Sequence, residues 1–200
     1  LDRTLAGACR LAHPDTRAEE LALEPGMLEP VLALTRPILA TSLPVGPGVC
    51  IGVRGPSGTG KTLLAEVLAA TAGRSLITVD CGRLAADDAP FSDLLGTLFQ
   101  EARFRNAVLA FDAPEAFLGA RSPRLAAFFD ELDAHSGVSL LLTTDSAALD
   151  PSVERHVAWQ VETALPDPAQ REAIWRMHVM RHPATGELGI PQLALDFEFT

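Results

Sequence analysis

Apolar residues follow two rhythms along this chain. Short runs that are apolar at nearly every position, residues 49–53, 76–79, 107–111, 138–144 and 157–161, alternate with longer segments in which apolar residues recur at three- and four-residue intervals. The longer segments predict helices: Leu64, Val67, Leu68 and Thr71 share one face, as do Phe91, Leu94, Leu95, Leu98, Phe99 and Ala102, and then Leu125, Phe128, Phe129 and Leu132. Gly73 suits the left-handed stop of the first. Strands apolar along their whole length are buried on both faces, so the alternation predicts an α/β fold with three layers, αβα, around a mostly parallel five-stranded sheet. Ligands of such sheets bind outside the carboxyl ends of the strands. Asp112, Asp145 and the loop at 55–62 should therefore meet in one crevice.

The flanks are patterned differently. Residues 1–44 are rich in Ala and Leu and interrupted by Pro14, Pro25, Gly26, Pro30 and Pro37, which predicts a helical segment packed on the core, with short helices over 27–34 and 36–41. Residues 45–165 then form the central domain. At Asp167 the pattern changes again: Asp167 can cap, Pro168 suits the first helical position and Gln170 the third, with Ile174, Met177 and Arg181 along one face. Residues 166–200 are read as the start of a second, helical subdomain. The chain opens on Leu1 and stops at Thr200, and is read as a piece of a longer protein.

The loop between the first apolar run and the first helix carries the chemistry. Gly55-Pro56-Ser57-Gly58-Thr59-Gly60-Lys61-Thr62 matches the phosphate-binding pattern G-x-x-x-x-G-K-[ST] at every fixed position, with Leu63 opening the helix. Glycines at 58 and 60 let the backbone adopt positive φ and aim successive N–H groups at phosphate oxygens, while the helix N-terminus presents its positive dipole end to the same anion. Lys61 adds a mobile charge for the outer phosphates. The Thr62 hydroxyl and the Asp112 carboxylate can face Mg²⁺, which keeps several waters and takes few protein ligands. The expected cofactors are ATP and Mg²⁺.

Charge and cysteine content narrow the field. A formal net charge of -10 argues against general nucleic-acid binding, which needs a basic surface to displace counterions from phosphates. Cys9, Cys50 and Cys81 lack the close paired spacing of a zinc site and read as reduced thiols of a cytoplasmic protein. No apolar run is long enough to span a bilayer.

Taken in order, these motifs resemble the AAA family of P-loop ATPases over roughly residues 45–200. The phosphate loop comes first, and Val108-Leu109-Ala110-Phe111-Asp112 looks like the family's metal-facing strand. The segment from Ser139 to Asp145 is similar to the sensor strand, that from Leu149 to Arg155 to the stretch bearing an arginine finger, and that from Pro166 to Arg176 to the beginning of the helical lid. The resemblance implies self-association or a mixed ring, usually of six subunits, with ATP at each boundary and a protein client at the centre.

Three departures point the same way. Ala113 stands where the family has a water-polarising Glu, Asp145 where it has Asn, and Arg155-His156 where it usually carries two arginines. Glu115 falls where the family commonly has Asp and is not read as a replacement base. Groups that hold ATP are kept and groups that cleave it are altered, so the expectation is an ATP–Mg-binding domain with weakened hydrolysis. The catalytic candidates are Asp145, able to orient water in place of the missing Glu, and Arg155, acting on a neighbouring subunit's nucleotide. The alternatives are a fully active ATPase that remodels protein substrates and a non-hydrolysing, nucleotide-occupied structural module.

Overall fold

The computed structural model describes residues 1–21, 26–41, 46–145, 148–181 and 189–196. In chain order the strands are β1 (Cys9–Ala12), β2 (Val49–Arg54), β3 (Leu76–Asp80), β4 (Val108–Asp112), β5 (Val138–Thr143) and β6 (Trp159–Glu162). The helices are α1 (Leu28–Leu39), α2 (Lys61–Thr71), α3 (Cys81–Ala85), α4 (Phe91–Arg105), α5 (Glu115–Leu118), α6 (Leu125–Ala134), α7 (Pro168–Arg181) and α8 (Ile190–Asp196).

The sheet has six strands, not the five read from the apolar runs, in the order β1-β3-β4-β5-β2-β6. The five runs pair in parallel, with Asp80 opposite Asp112 and Arg54 opposite both Thr143 and Glu162. The added strand is β1, which pairs antiparallel with β3 from Cys9↔Val79 to Ala12↔Leu76. Its four residues, Cys-Arg-Leu-Ala, carry no long apolar run because β1 is an edge strand with an exposed Arg10. The last strand also begins two residues later than its apolar run suggests.

Each sheet face is covered by helices. On one side Ile51, Val53, Val108, Ala110, Leu140 and Leu142 pack with Leu64 and Leu68 of α2 and Val31 of α1. On the other, Val79, Leu109, Phe111 and Leu141 meet α4 and α6. There the Phe128 ring lies 5.1 Å from Phe111 and 5.5 Å from Phe117, distances at which aromatic pairs add to area burial.

The N-terminal helix is continuous over Leu28–Leu39, correcting the expectation of two short helices. Pro30 lies in its first turn, where no N–H partner is lost, and Pro37 falls in its last. Past β6, the reciprocal cap forms as the sequence predicts: the Gln170 N–H donates to Asp167 Oδ1 at 2.8 Å and the Asp167 N–H to Gln170 Oε1 at 2.9 Å. Buried Arg171 then ties α7 to α8, donating to the carbonyls of Ala194 at 2.7 Å and Pro166 at 2.9 Å. No helix among the described residues is long and apolar enough to cross a membrane.

One buried group makes stability depend on pH. His135, between α6 and β5, is 3% exposed, and neither ring nitrogen has a hydrogen-bond partner among the described residues. Burial, aided by the Arg103 charge, pushes its pKa from 6.5 down to about 4. The unfolded chain thus binds a proton near pH 6.5 that the native protein refuses until about pH 4, so stability is full above 6.5 and falls as pH drops through that window. At 1.36 kcal/mol per pKa unit, the loss from pH 7 to pH 5 is about 2 kcal/mol. Urea midpoints at those two pH values should differ markedly less in His135→Leu than in the wild type; equal acid sensitivity of the two proteins would refute this.

Candidate functional site

The loop joining β2 to α2 takes its shape from its glycines. Gly58 and Gly60 have φ of +80° and +86°, and Gly60 caps α2 from the left-handed region. This conformation is costly for any residue with a Cβ and is where glycine is needed. Local sequence therefore sets a helix N-terminus at the carboxyl end of the sheet, close to the strand ends that carry Asp112 and Thr143.

Within the loop, Lys61 is 8% exposed and its ammonium donates to the carbonyl oxygens of Gly55 and Pro56, both at 2.7 Å. Burial pushes the Lys61 pKa below its ordinary value, while the carboxylates of Asp112 and Glu115 raise it. The cation is thus held by its own loop and faced by two acids. Thr59 closes the other side: its hydroxyl donates to the Pro56 carbonyl at 2.8 Å and lies 2.6 Å from the hydroxyl of Thr163, which follows β6. The Thr163 N–H in turn donates to the Arg54 carbonyl at 2.8 Å.

Thr62 and Asp112 line one cleft of about 290 Å³ together with Asp80, Arg83 and Glu66. Leu76 and Thr78 of β3 line it too, and a further wall is the N-terminal segment from Ala6 to Arg10 with Ala12, a contribution the sequence pattern did not reveal. Asp80 caps α3 by accepting from the Arg83 N–H at 2.9 Å and pairs with the Arg83 side chain at 3.2 Å. Among the described residues no cluster of three His, Cys, Asp or Glu side chains could cage a metal. A hydroxyl and one carboxylate at the foot of a phosphate loop nevertheless suit Mg²⁺, whose other ligands are waters and phosphate oxygens.

The thiols behave as core groups. Cys9, Cys50 and Cys81 are all free. Burial holds Cys50 and Cys9 at a pKa of about 12 and raises Cys81 well above the usual range.

The ATPase family associated with various cellular activities (AAA) matches residues 51–165, from within β2 to the segment before α7. The chain belongs to this family. It is 27% identical over 192 residues to a cell division cycle protein 48 homolog of Archaeoglobus fulgidus, covering 88% of this chain and 26% of that protein. The chain thus spans about a quarter of that relative's length. A solved chain from work on katanin self-assembly superposes with a TM-score of 0.76 at 22% identity, covering 94% of this chain and 68% of that one, and shares the fold.

The positions that depart from the AAA pattern each have a defined setting. Ala113 follows β4 at φ +53°, a left-handed conformation uncommon for a residue with a side chain, and its N–H donates to the Leu142 carbonyl at 3.1 Å. Asp145 follows the end of β5, where its N–H donates to the Thr143 hydroxyl at 3.2 Å. Arg155 ends the 3₁₀ turn Pro151–Arg155 and is exposed; among the described residues it holds no ion pair. Asp150, which starts that turn, is held below its usual pKa first by the Ser152 hydroxyl and N–H, then by the Arg121 N–H, and last by the Arg155 charge. His156 turns inward instead, stacked on Phe129 at 3.9 Å and 3.0 Å from Asp133 Oδ1. Where the family usually carries a second arginine, this chain has an anchor to α6.

The segment that leads from β3 into α4 contains one aromatic residue. Phe91 lies 5.1 Å from the Phe117 ring with the Arg124 guanidinium 4.9 Å over its face, so it packs within the domain.

Proposed function

We propose that this domain binds ATP with Mg²⁺ and hydrolyses it weakly, as part of a cytoplasmic oligomer formed by self-association or in a mixed ring, with a hexamer as the expected form and a protein as its client. The observation that carries this reading is the grouping of Lys61, Thr62 and Asp112 at the glycine loop, with Ala113 immediately beyond Asp112. The loop from Gly55 to Leu63 would hold the phosphates through backbone N–H groups and the Lys61 ammonium, and Thr62 and Asp112 would hold the cation. When bound, Mg²⁺ would neutralise phosphate charge. Arg155, exposed and without an ion-pair partner among the described residues, would reach the nucleotide of a neighbouring subunit. Asp145 remains a candidate for orienting water.

The test is ATP binding at equilibrium together with phosphate release, with and without Mg²⁺. ATP should bind in a Mg²⁺-dependent manner and turn over slowly, and Ala113→Glu should raise phosphate release by roughly 10-fold or more, since a positioned base contributes about 10² to 10⁴. The left-handed backbone at residue 113 disfavours alanine and glutamate alike, so the exchange tests the carboxylate and not the fold. Absent ATP binding, or faster turnover in the wild type than in Ala113→Glu, would rule the reading out.

A further inference from the structure

Removing the carboxylate at position 113 does not leave the strand ends without an acid. The left-handed turn at Ala113 and the following Pro114 start α5 at Glu115, above the carboxyl ends of β4 and β5. Glu115 Oε1 receives a long contact, 3.4 Å, from the hydroxyl of Thr144, the residue after β5. Glu115 Oε2 is shut away from solvent and has no hydrogen-bond partner among the described residues. No donor of the described residues satisfies this oxygen, so it can accept from a water or ligand brought to the strand ends. The Thr144 contact sets Glu115 at the carboxyl ends of the strands, the end of the sheet at which the phosphate loop also leaves β2.

We propose that Glu115 is the carboxylate that orients and deprotonates the attacking water in this domain. This rests on the ATP-binding reading above and deepens it: the slow turnover runs through Glu115, approached from α5, and not through the residue next to Asp112. In the step, the water oxygen bonds to the γ phosphorus while the bond from that phosphorus to the β–γ bridging oxygen breaks, its electron pair leaving on ADP. The water proton passes to Glu115 Oε2 and from there to the released phosphate or to solvent. Thr144 holds the other carboxylate oxygen and is a positioning residue.

Three quantities measured on the full chain decide the matter: the equilibrium Kd for ATP, kcat for phosphate release, and the melting temperature without nucleotide. Glu115→Gln should lower kcat by about 10²-fold, leave the Kd within about 3-fold of wild type, a change of about 0.7 kcal/mol, and leave the nucleotide-free melting temperature close to wild type, because glutamine keeps the side chain's shape and an oxygen for the Thr144 hydroxyl. A merely structural Glu115 would lower the melting temperature or weaken Kd alongside kcat, and either result overturns the proposal. So does an unchanged kcat, or a wild type that binds ATP without releasing phosphate; in both cases the ATP-binding reading survives. A wild type that fails to bind ATP overturns that reading and this one together. If Glu115→Gln does not fold, Glu115→Asp keeps the charge and retracts it by one methylene, and should still lower kcat at unchanged Kd; wild-type kcat in that variant refutes the assignment.

Discussion

Lys61→Ala should weaken ATP binding by about 10²- to 10³-fold. The ammonium is positioned for two strong contacts at once, since its present partners, the Gly55 and Pro56 carbonyls at 2.7 Å, are neutral groups that phosphate oxygens can outcompete. Hydrogen bonds to charged groups contribute about 1.5–3 kcal/mol each, and two of them, less the bonds given up in the loop, leave about 3–4 kcal/mol. At 1.4 kcal/mol per tenfold, that is the expected loss of affinity. The nucleotide-free protein should change little, because Pro56 keeps the Thr59 hydroxyl at 2.8 Å. Titration calorimetry with Mg-ATP reads the first effect and thermal melting without nucleotide the second. Undiminished ATP affinity in this variant would remove the loop at 55–62 from any role in phosphate binding.

What could be read from the sequence is what residues close in the chain decide. The glycine loop, the helix it starts and the Asp167–Gln170 cap each depend on neighbours within a few positions, and each forms where the sequence places it. Strands β2 to β5 were legible because both faces of each are largely apolar, whereas β6 exposes three of its four residues and shows as a run chiefly through Val157, Trp159 and Val161. The sixth strand was not, since Cys9–Ala12 is a strand only because the edge of β3, some 70 residues later, offers it a ladder. The same distance in sequence hid the Thr59–Thr163 contact, which spans 104 positions. It also hid the wall that Ala6 to Arg10 give the crevice. Position 115 illustrates the limit most directly. Spacing along the strand passes over Glu115, and only the left-handed turn at Ala113 sets it above the strand ends beside Thr144.

Gly55→Ala should destabilise the protein by about 3–5 kcal/mol and disable the loop with it. Gly55 has φ +153°, and a Cβ built there would lie 2.2 Å from the Thr163 carbonyl oxygen and 2.3 Å from its hydroxyl. Neither residue can yield cheaply. Gly55 is held by its N–H to the Thr143 carbonyl at 3.2 Å, and Thr163, 5% exposed, by its own N–H to the Arg54 carbonyl at 2.8 Å and by the Thr59 hydroxyl at 2.6 Å. Backbone strain of about 1–3 kcal/mol adds to an overpacking cost of similar size. For a chain of this length each kcal/mol lowers the melting temperature by roughly 2–4 °C, so a fall of about 10 °C is expected. Gly52→Ala is the control. The atoms its Cβ would meet first all belong to the side chain of exposed Gln160, which can swing aside, so that variant should melt far closer to wild type. The double variant Gly55→Ala/Thr163→Gly removes the hydroxyl clash and keeps the carbonyl one, and should recover only a small part of the loss. Full recovery would show that the hydroxyl, and not the backbone of the segment leading to α7, sets the shape of the phosphate loop.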